Sequence, residues 1–210
     1  MTTYTILTGS ISTEGSIKNW LVKSDVPADT VLDDAESWIY RRLRVRDMLT
    51  TTTGTLSASV AVLALPTNYL AVRKFTLTSP GVTDLERKTP EETEDSRSYD
   101  NSGTLITGRP SVFYADGSQF VFDRTTDQAY TYRIIHYAEP TALSSSNTSN
   151  FLSTRGVRLL RCACLAFANE WYKNGAEKDY WLKQAQLEID ALQREDDIES
   201  WDMNADVVVG

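Results

Sequence analysis

The sequence predicts an α+β fold: a helical bundle formed by N- and C-terminal helices, an antiparallel β insert, and an extended C-terminal tail. Three observations predict it. Apolar residues recur at helical spacing at both ends of the chain, at Val31, Leu32, Ala35, Trp38, Ile39 and Leu43, and again at Val157, Leu160, Cys164, Phe167, Ala168 and Trp171. Between them the period switches to two, clearest where Tyr130, Tyr132, Ile134 and His136 alternate with Thr131, Arg133, Ile135 and Tyr137. From Asp196 onward the helical period is lost. These shifts divide the chain into a bundle of 1–49 plus 154–195, a β-rich insert of 50–143 and a tail of 196–210.

Each element has its own signal. Ile17, Trp20 and Leu21 mark a short amphipathic helix within Ser12 to Val22. Asp25-Val26-Pro27 starts the next, because aspartate caps and proline suits the first turn; its stripe carries it to about Met48. The threonine run Thr50 to Thr55 stops it, and Leu56 to Leu65 reads as a buried strand. Pro66 to Tyr69 break that strand, and Leu70 to Leu77 resumes in extended form. Glu86 to Gly108 is a charged, turn-rich excursion with little core of its own. Val112 to Ala115 and Gln119 to Asp123 form a hairpin across Asp116-Gly117, a pair suited to a type I′ turn. Glu139-Pro140 ends the sheet, and Ser144 to Ser153 is a polar linker. A helix from about Thr154 to Lys173 closes with Asn174-Gly175 as a left-handed cap. The last helix, Glu177 to Arg194, places Leu182, Ala185, Ile189 and Leu192 at near-heptad spacing, so the two should pack as an antiparallel hairpin.

Composition narrows the chemistry. With 210 residues, 41% hydrophobic and 24% charged, the chain can bury a core without staples. Its longest apolar runs are too short to span a bilayer, and Met1 to Ser10 lacks the plan of a signal peptide. One histidine, His136, removes histidine-rich metal sites and most triads, and no common catalytic or phosphate-binding motif occurs. His136 sits among aromatic and aliphatic residues and reads as structural. Cys162 and Cys164 point about 200° apart on a helix and read as small buried hydrophobes rather than ligands. Asp33-Asp34 and Asp196-Asp197 diverge by about 100°, which suits solvated faces rather than paired acid/base chemistry. The expectation is a protein without catalysis, cofactor or metal.

Charge is unevenly placed. Of the net −8, the segment from Glu188 to Asp206 holds eight acids and one base. Arg41, Arg42, Arg44 and Arg46 form the opposite cluster, which fits a solvated helix face, phosphate contact, or pairing with carboxylates of this chain or a neighbouring copy. The acidic tail also carries Ile198, Trp201, Met203, Val207, Val208 and Val209, more apolar surface than a solvating tail can use. Tryptophan is a frequent interface anchor, so the tail reads as a docking peptide ordered on a partner.

The order of these features resembles the head-to-tail adaptor (connector) proteins of tailed bacteriophages, in particular the podovirus-type portal adaptors. The residues that carry the resemblance are Trp20-Leu21-Val22, the helix with Ala35, Trp38-Ile39 and Arg41-Arg42-Leu43-Arg44, and the break Leu65-Pro66-Thr67-Asn68-Tyr69-Leu70. They continue through Arg109-Pro110, Asp116-Gly117, the exit Tyr137 to Leu143 and the Asn147 to Leu152 linker into the helical hairpin. The resemblance covers about Ser12 to Trp201; Asp202 to Gly210 has no counterpart in it. It implies a structural role at the head-tail interface of a virion, assembled in the host cytoplasm. The partners would be the portal protein and a tail (nozzle or tail-tube) protein, with DNA passing unbound through a ring of about a dozen copies closed by one repeated contact. In that setting Trp201, Met203, Val207, Val208 and Val209 would dock on the portal, and Arg41, Arg42, Arg44 and Arg46 would pair ions between subunits or partners. The alternatives are a tail completion or terminator protein, and a glycan- or surface-binding module using Tyr114, Tyr130, Tyr132 and Tyr137.

Overall fold

Helices open the chain: α1 (Tyr4–Leu7), α2 (Ile17–Leu21) and α3 (Ala28–Tyr40), followed by a single 3-10 turn at Arg46–Met48. Strands follow as β1 (Leu49–Leu56), β2 (Val62–Ala64), β3 (Tyr69–Ser79), β4 (Thr83–Asp84) and β5 (Glu86–Arg87). Next come α4 (Pro90–Ser96), β6 (Val112–Asp116), β7 (Gln119–Phe122) and β8 (Tyr130–Ala138). The chain returns to helix in α5 (Phe151–Thr154), α6 (Val157–Trp171) and α7 (Gly175–Ala205). This is a computed structural model, and it describes the backbone of residues 2–205 and the side chains of residues 2–197. The α+β class is as the sequence predicts. Two compact units result, one of residues 1–48 with 140–210 and one of residues 49–139.

In the helical unit α6 is central, packed against α3 on one side and α7 on the other. Val31, Leu32, Ala35 and Ile39 of α3 and Leu159, Leu160, Ala163 and Cys164 of α6 are buried, as are Ala185 and Ile189 of α7. Small residues along α6 (Ala163, Cys164, Ala166, Ala168) let its neighbours approach closely. Both cysteines are free and buried, and burial pushes the Cys164 thiol far up. The Ser16 hydroxyl caps α2, and Val22 ends it in the left-handed region at φ 55°. Asn150 and Ser153 form a reciprocal capping box at α5.

The β unit holds two four-stranded sheets, ordered β1-β8-β3-β4 and β2-β7-β6-β5. Every pair is antiparallel except β5–β6, which runs parallel, so the second sheet is mixed. Its core is Leu56, Phe75, Leu77, Leu85, Phe113, Phe120, Phe122, Tyr130 and Ile134. Phe75 stands edge-to-face on Phe113, Phe120 and Phe122 at centroid distances of 5.3, 5.5 and 5.8 Å, an arrangement the ring quadrupole favours. The buried Asp123 carboxylate accepts from the Ser111 and Val112 amides and the Ser111 hydroxyl, which fixes the start of β6.

Several boundaries differ from the sequence reading. The threonine run is itself strand β1, since β-branched side chains suit a pleated, half-exposed surface; of the expected strand from Leu56 to Leu65 only β2 forms. The hairpin turn centres on Gly117-Ser118 with Gly117 at φ 54°, as a type II′ turn requires, rather than on Asp116-Gly117. Lys173, not Gly175, takes the left-handed position between α6 and α7. The charged excursion is not structureless: Pro90 and a Thr89–Glu92 capping box start α4, which buries Thr93. Finally, α7 continues through 196–205, where an extended tail was expected. No proline or glycine lies between Gly175 and Gly210, and the segment is rich in good helix formers.

Candidate functional site

The arginine cluster lies beyond α3 rather than on its last turns. The sequence Arg42-Leu43-Arg44-Val45-Arg46 alternates with period two: Leu43 and Val45 are buried, Arg42 and Arg46 are exposed, and Arg44 is half-buried. That alternation ends the helix at Tyr40, and it was readable in the sequence.

Arg44 turns back on the helix it follows. Its Nη1 donates to the Tyr40 and Leu43 carbonyls at 2.7 and 2.6 Å, satisfying C-terminal acceptors and complementing the negative end of the helix dipole. The Arg42 guanidinium lies 4.4 Å from the Trp38 ring centroid and donates to the Trp38 carbonyl at 3.1 Å. Two contacts tie this corner to α7. Gln193 Nε2 donates to the Arg42 carbonyl at 3.3 Å, and the Arg46 amide donates to Asp196 Oδ1 at 3.0 Å. Beside them Arg155 donates to Asp47 at 2.7 Å. Basic and acidic segments thus meet within one chain. Arg41, the residue that caps α3, is exposed.

Behind the cluster lies a buried polar network that the sequence reading missed. Glu36 is 1% exposed. Its Oε1 accepts from the Tyr40 hydroxyl at 2.9 Å and from Asn150 Nδ2 at 2.8 Å, and its Oε2 accepts from the Leu143 amide at 2.9 Å. Burial pushes the Glu36 carboxyl up, while those hydrogen bonds act the other way. Asn150 also reaches the Thr141 carbonyl, so α3 and the segment leading to α5 are stitched together. The signal available was a carboxylate on the apolar stripe, one turn before Tyr40.

The other anticipated residues are placed as follows. Trp201 and Met203 fall on the backbone of α7, with side chains outside the described residues, and Val207, Val208 and Val209 lie outside them altogether. Trp171, assigned to the buried face of α6, is instead 57% exposed. It sits on the last turn, where it lines an apolar groove of about 510 Å³ with Pro27, Val31 and Phe167. Trp38 is half-buried beneath Arg42. The four tyrosines weighed for a glycan surface do not share one face. Tyr130 is buried in the core, Tyr132 packs against that core, Tyr137 stands on the opposite side of β8, and Tyr114 belongs to the other sheet. His136 is buried, with its ring stacked 5.9 Å from that of Tyr69, and Nδ1 has no hydrogen-bond partner among the described residues.

A family model described as the SU10 adaptor protein matches residues 2–208. The chain belongs to the SU10 adaptor protein family. It is therefore a structural adaptor protein of a bacteriophage, with its place in the virion. No curated protein matches the chain. Among the described residues of this adaptor, no helix is long and apolar enough to cross a membrane, and no group of three potential metal ligands occurs.

Proposed function

We propose that this adaptor joins portal to tail: copies form a ring on the portal around the DNA channel and present the surface on which the tail is built. The observation that carries this reading is the length and charge of α7. At about 1.5 Å per residue it runs ~46 Å against ~22 Å for α6, so its second half continues past the hairpin. From Glu188 on, the helix holds Glu188, Asp190, Glu195, Asp196, Asp197, Glu199 and Asp202, and it carries Ile198, Trp201 and Met203 toward the end of the chain. A long acidic helix with apolar residues near its end suits docking on another protein better than contact with DNA, because carboxylates repel phosphate. In the ring of about a dozen copies, closed by one head-to-tail contact, acidic walls leave the DNA mobile. Arg41, exposed at the end of α3, supplies a cation for pairing with a neighbouring copy or partner.

Sedimentation of the chain alone, and mixed with the portal encoded in the same genome, tests the reading. Assembly on the portal is the expected outcome, and a chain that ignores the portal overturns it. A variant lacking Glu199 to Gly210 should lose portal binding while keeping its fold by circular dichroism. Unchanged binding would remove Trp201, Met203 and Val207 to Val209 from the docking role.

A further inference from the structure

The outer strands of the β unit are unequal in a way that folding alone does not require. Residues 49–72 contain no Asp, Glu, Lys, Arg or His, in a chain that is 24% charged. This stretch supplies β1, the outer strand of the first sheet, and β2, an outer strand of the second. The opposite outer strands, β4 and β5, have two residues each and carry Asp84, Glu86 and Arg87; Lys74 pairs with Asp84 at 2.9 Å.

Open sheet edges template further pairing, and soluble proteins guard them with short strands, bulges, inward charges, lysine or proline. The edges at β4 and β5 are guarded in this way. The β1 edge is not. It is eight residues long, paired to β8 without a register shift from Leu49↔Tyr137 to Leu56↔Tyr130, whereas β3 shifts register three times on the other side of β8. Thr50, Thr51, Thr53 and Thr55 are exposed. Among the described residues, the backbone of Thr50 to Thr55 is hydrogen-bonded to β8 and to nothing on its open side. β1 carries one glycine, Gly54, under the Tyr132 side chain, which would lie 2.5 Å from an added Cβ; the aromatic cover over this edge glycine helps pin the register of β1 on β8.

We propose that the open edge of β1 is a docking site for an uncharged, extended segment of another virion protein, which adds to the first sheet as a further strand beside Leu49–Leu56. The inference rests on the adaptor reading and names the mode by which one partner is held. Main-chain hydrogen bonds supply the contact, and the exposed threonines favour a strand without charge, the nearest charge on that face, Arg133 opposite Thr53, lying one strand further in. A second copy does not fit the site. In a head-to-tail arrangement a copy offers only β2, β4 or β5, of three, two and two residues, each too short to pair along the eight residues of β1, and β1 against β1 about a two-fold axis would stop at two copies instead of closing a ring.

The test uses the full chain with the purified portal and tail proteins of the same genome. It combines binding measurements with amide hydrogen exchange. The amides on the open side of β1 should exchange quickly in the free chain and become protected in one of the two complexes. The pair Thr51→Lys with Thr53→Lys should weaken that complex about tenfold or more, because lysine guards an edge, and leave the other complex unchanged. Thr51→Val with Thr53→Val, still uncharged and β-branched, should bind as the original chain does and shows that the site tolerates substitution. Binding by the lysine pair equal to that of the original chain, or β1 amides equally fast in both complexes, overturns the inference and leaves the adaptor reading standing. A free chain that dimerises through protected β1 amides, and is made monomeric by the lysines, also overturns it, by making a second copy the occupant. Failure of the original chain to bind either protein overturns the adaptor reading, and this inference with it.

Discussion

His136 stacks on Tyr69 with a ring nitrogen unpartnered among the described residues, and burial holds its pKa below the ordinary 6.5. The folded protein therefore prefers the neutral ring, while the unfolded chain takes up a proton near 6.5. The stability this group contributes is complete above 6.5 and is lost as pH falls from there through the lowered folded value. As the chain has one histidine, a single imidazole resonance reports the titration by NMR. The expected midpoint lies below 6.5, and a midpoint at or above it would contradict the burial argument. By alternation alone the sequence put His136 on one strand face with Tyr130, Tyr132 and Ile134 and read it as a satisfied structural histidine. It could not say that Nδ1 would lack a partner, because that depends on which strands flank β8.

At the scale of elements, α3 and the segment before α5 depend on one carboxylate. Both Glu36 oxygens accept hydrogen bonds, from Tyr40, Asn150 and the Leu143 amide. In Glu36→Gln one acceptor becomes a donor and faces another donor, leaving a buried polar group unsatisfied at a cost of about 1–3 kcal/mol. The expected result is a lower midpoint of thermal unfolding with faster exchange at the Leu143 amide. A midpoint equal to that of the original chain would show the network to be dispensable. Read as an unbroken helical stripe, the sequence carried α3 into the arginines; the alternation of Leu43 and Val45 with charge had already ended it. At the other end of the chain, the absence of proline and glycine outweighed loss of apolar period, and α7 ran on to Ala205.

As a whole molecule, the chain interrupts one compact unit with another. Residues 49–139 hold their own core of aromatic residues, and their ends are side by side, with Leu49 paired to Tyr137. An excised 49–139 fragment should therefore fold alone, with a dispersed amide spectrum and a cooperative thermal transition. A fragment without either would show that the β unit needs the helical one. The same separation divides the charge: the basic cluster at Arg41 to Arg46 and the acidic second half of α7 lie in the helical unit, while the β unit has its own acidic cluster at Glu91, Glu92, Glu94 and Asp95 in α4.

The sequence by itself determined the α+β class, the helical hairpin, the features that carry the resemblance to the adaptor family, and the charge-free stretch at 49–72. These follow from local spacing and composition, which act between residues close along the chain. Only the tertiary structure decided that the threonine run is an outer strand with one open side, that Glu36 holds Leu143 and Asn150, and that Asp196 meets the Arg46 amide. Each of these joins groups distant in sequence, 150 residues apart in the last case, and no local period encodes which partner a buried or outer group will meet.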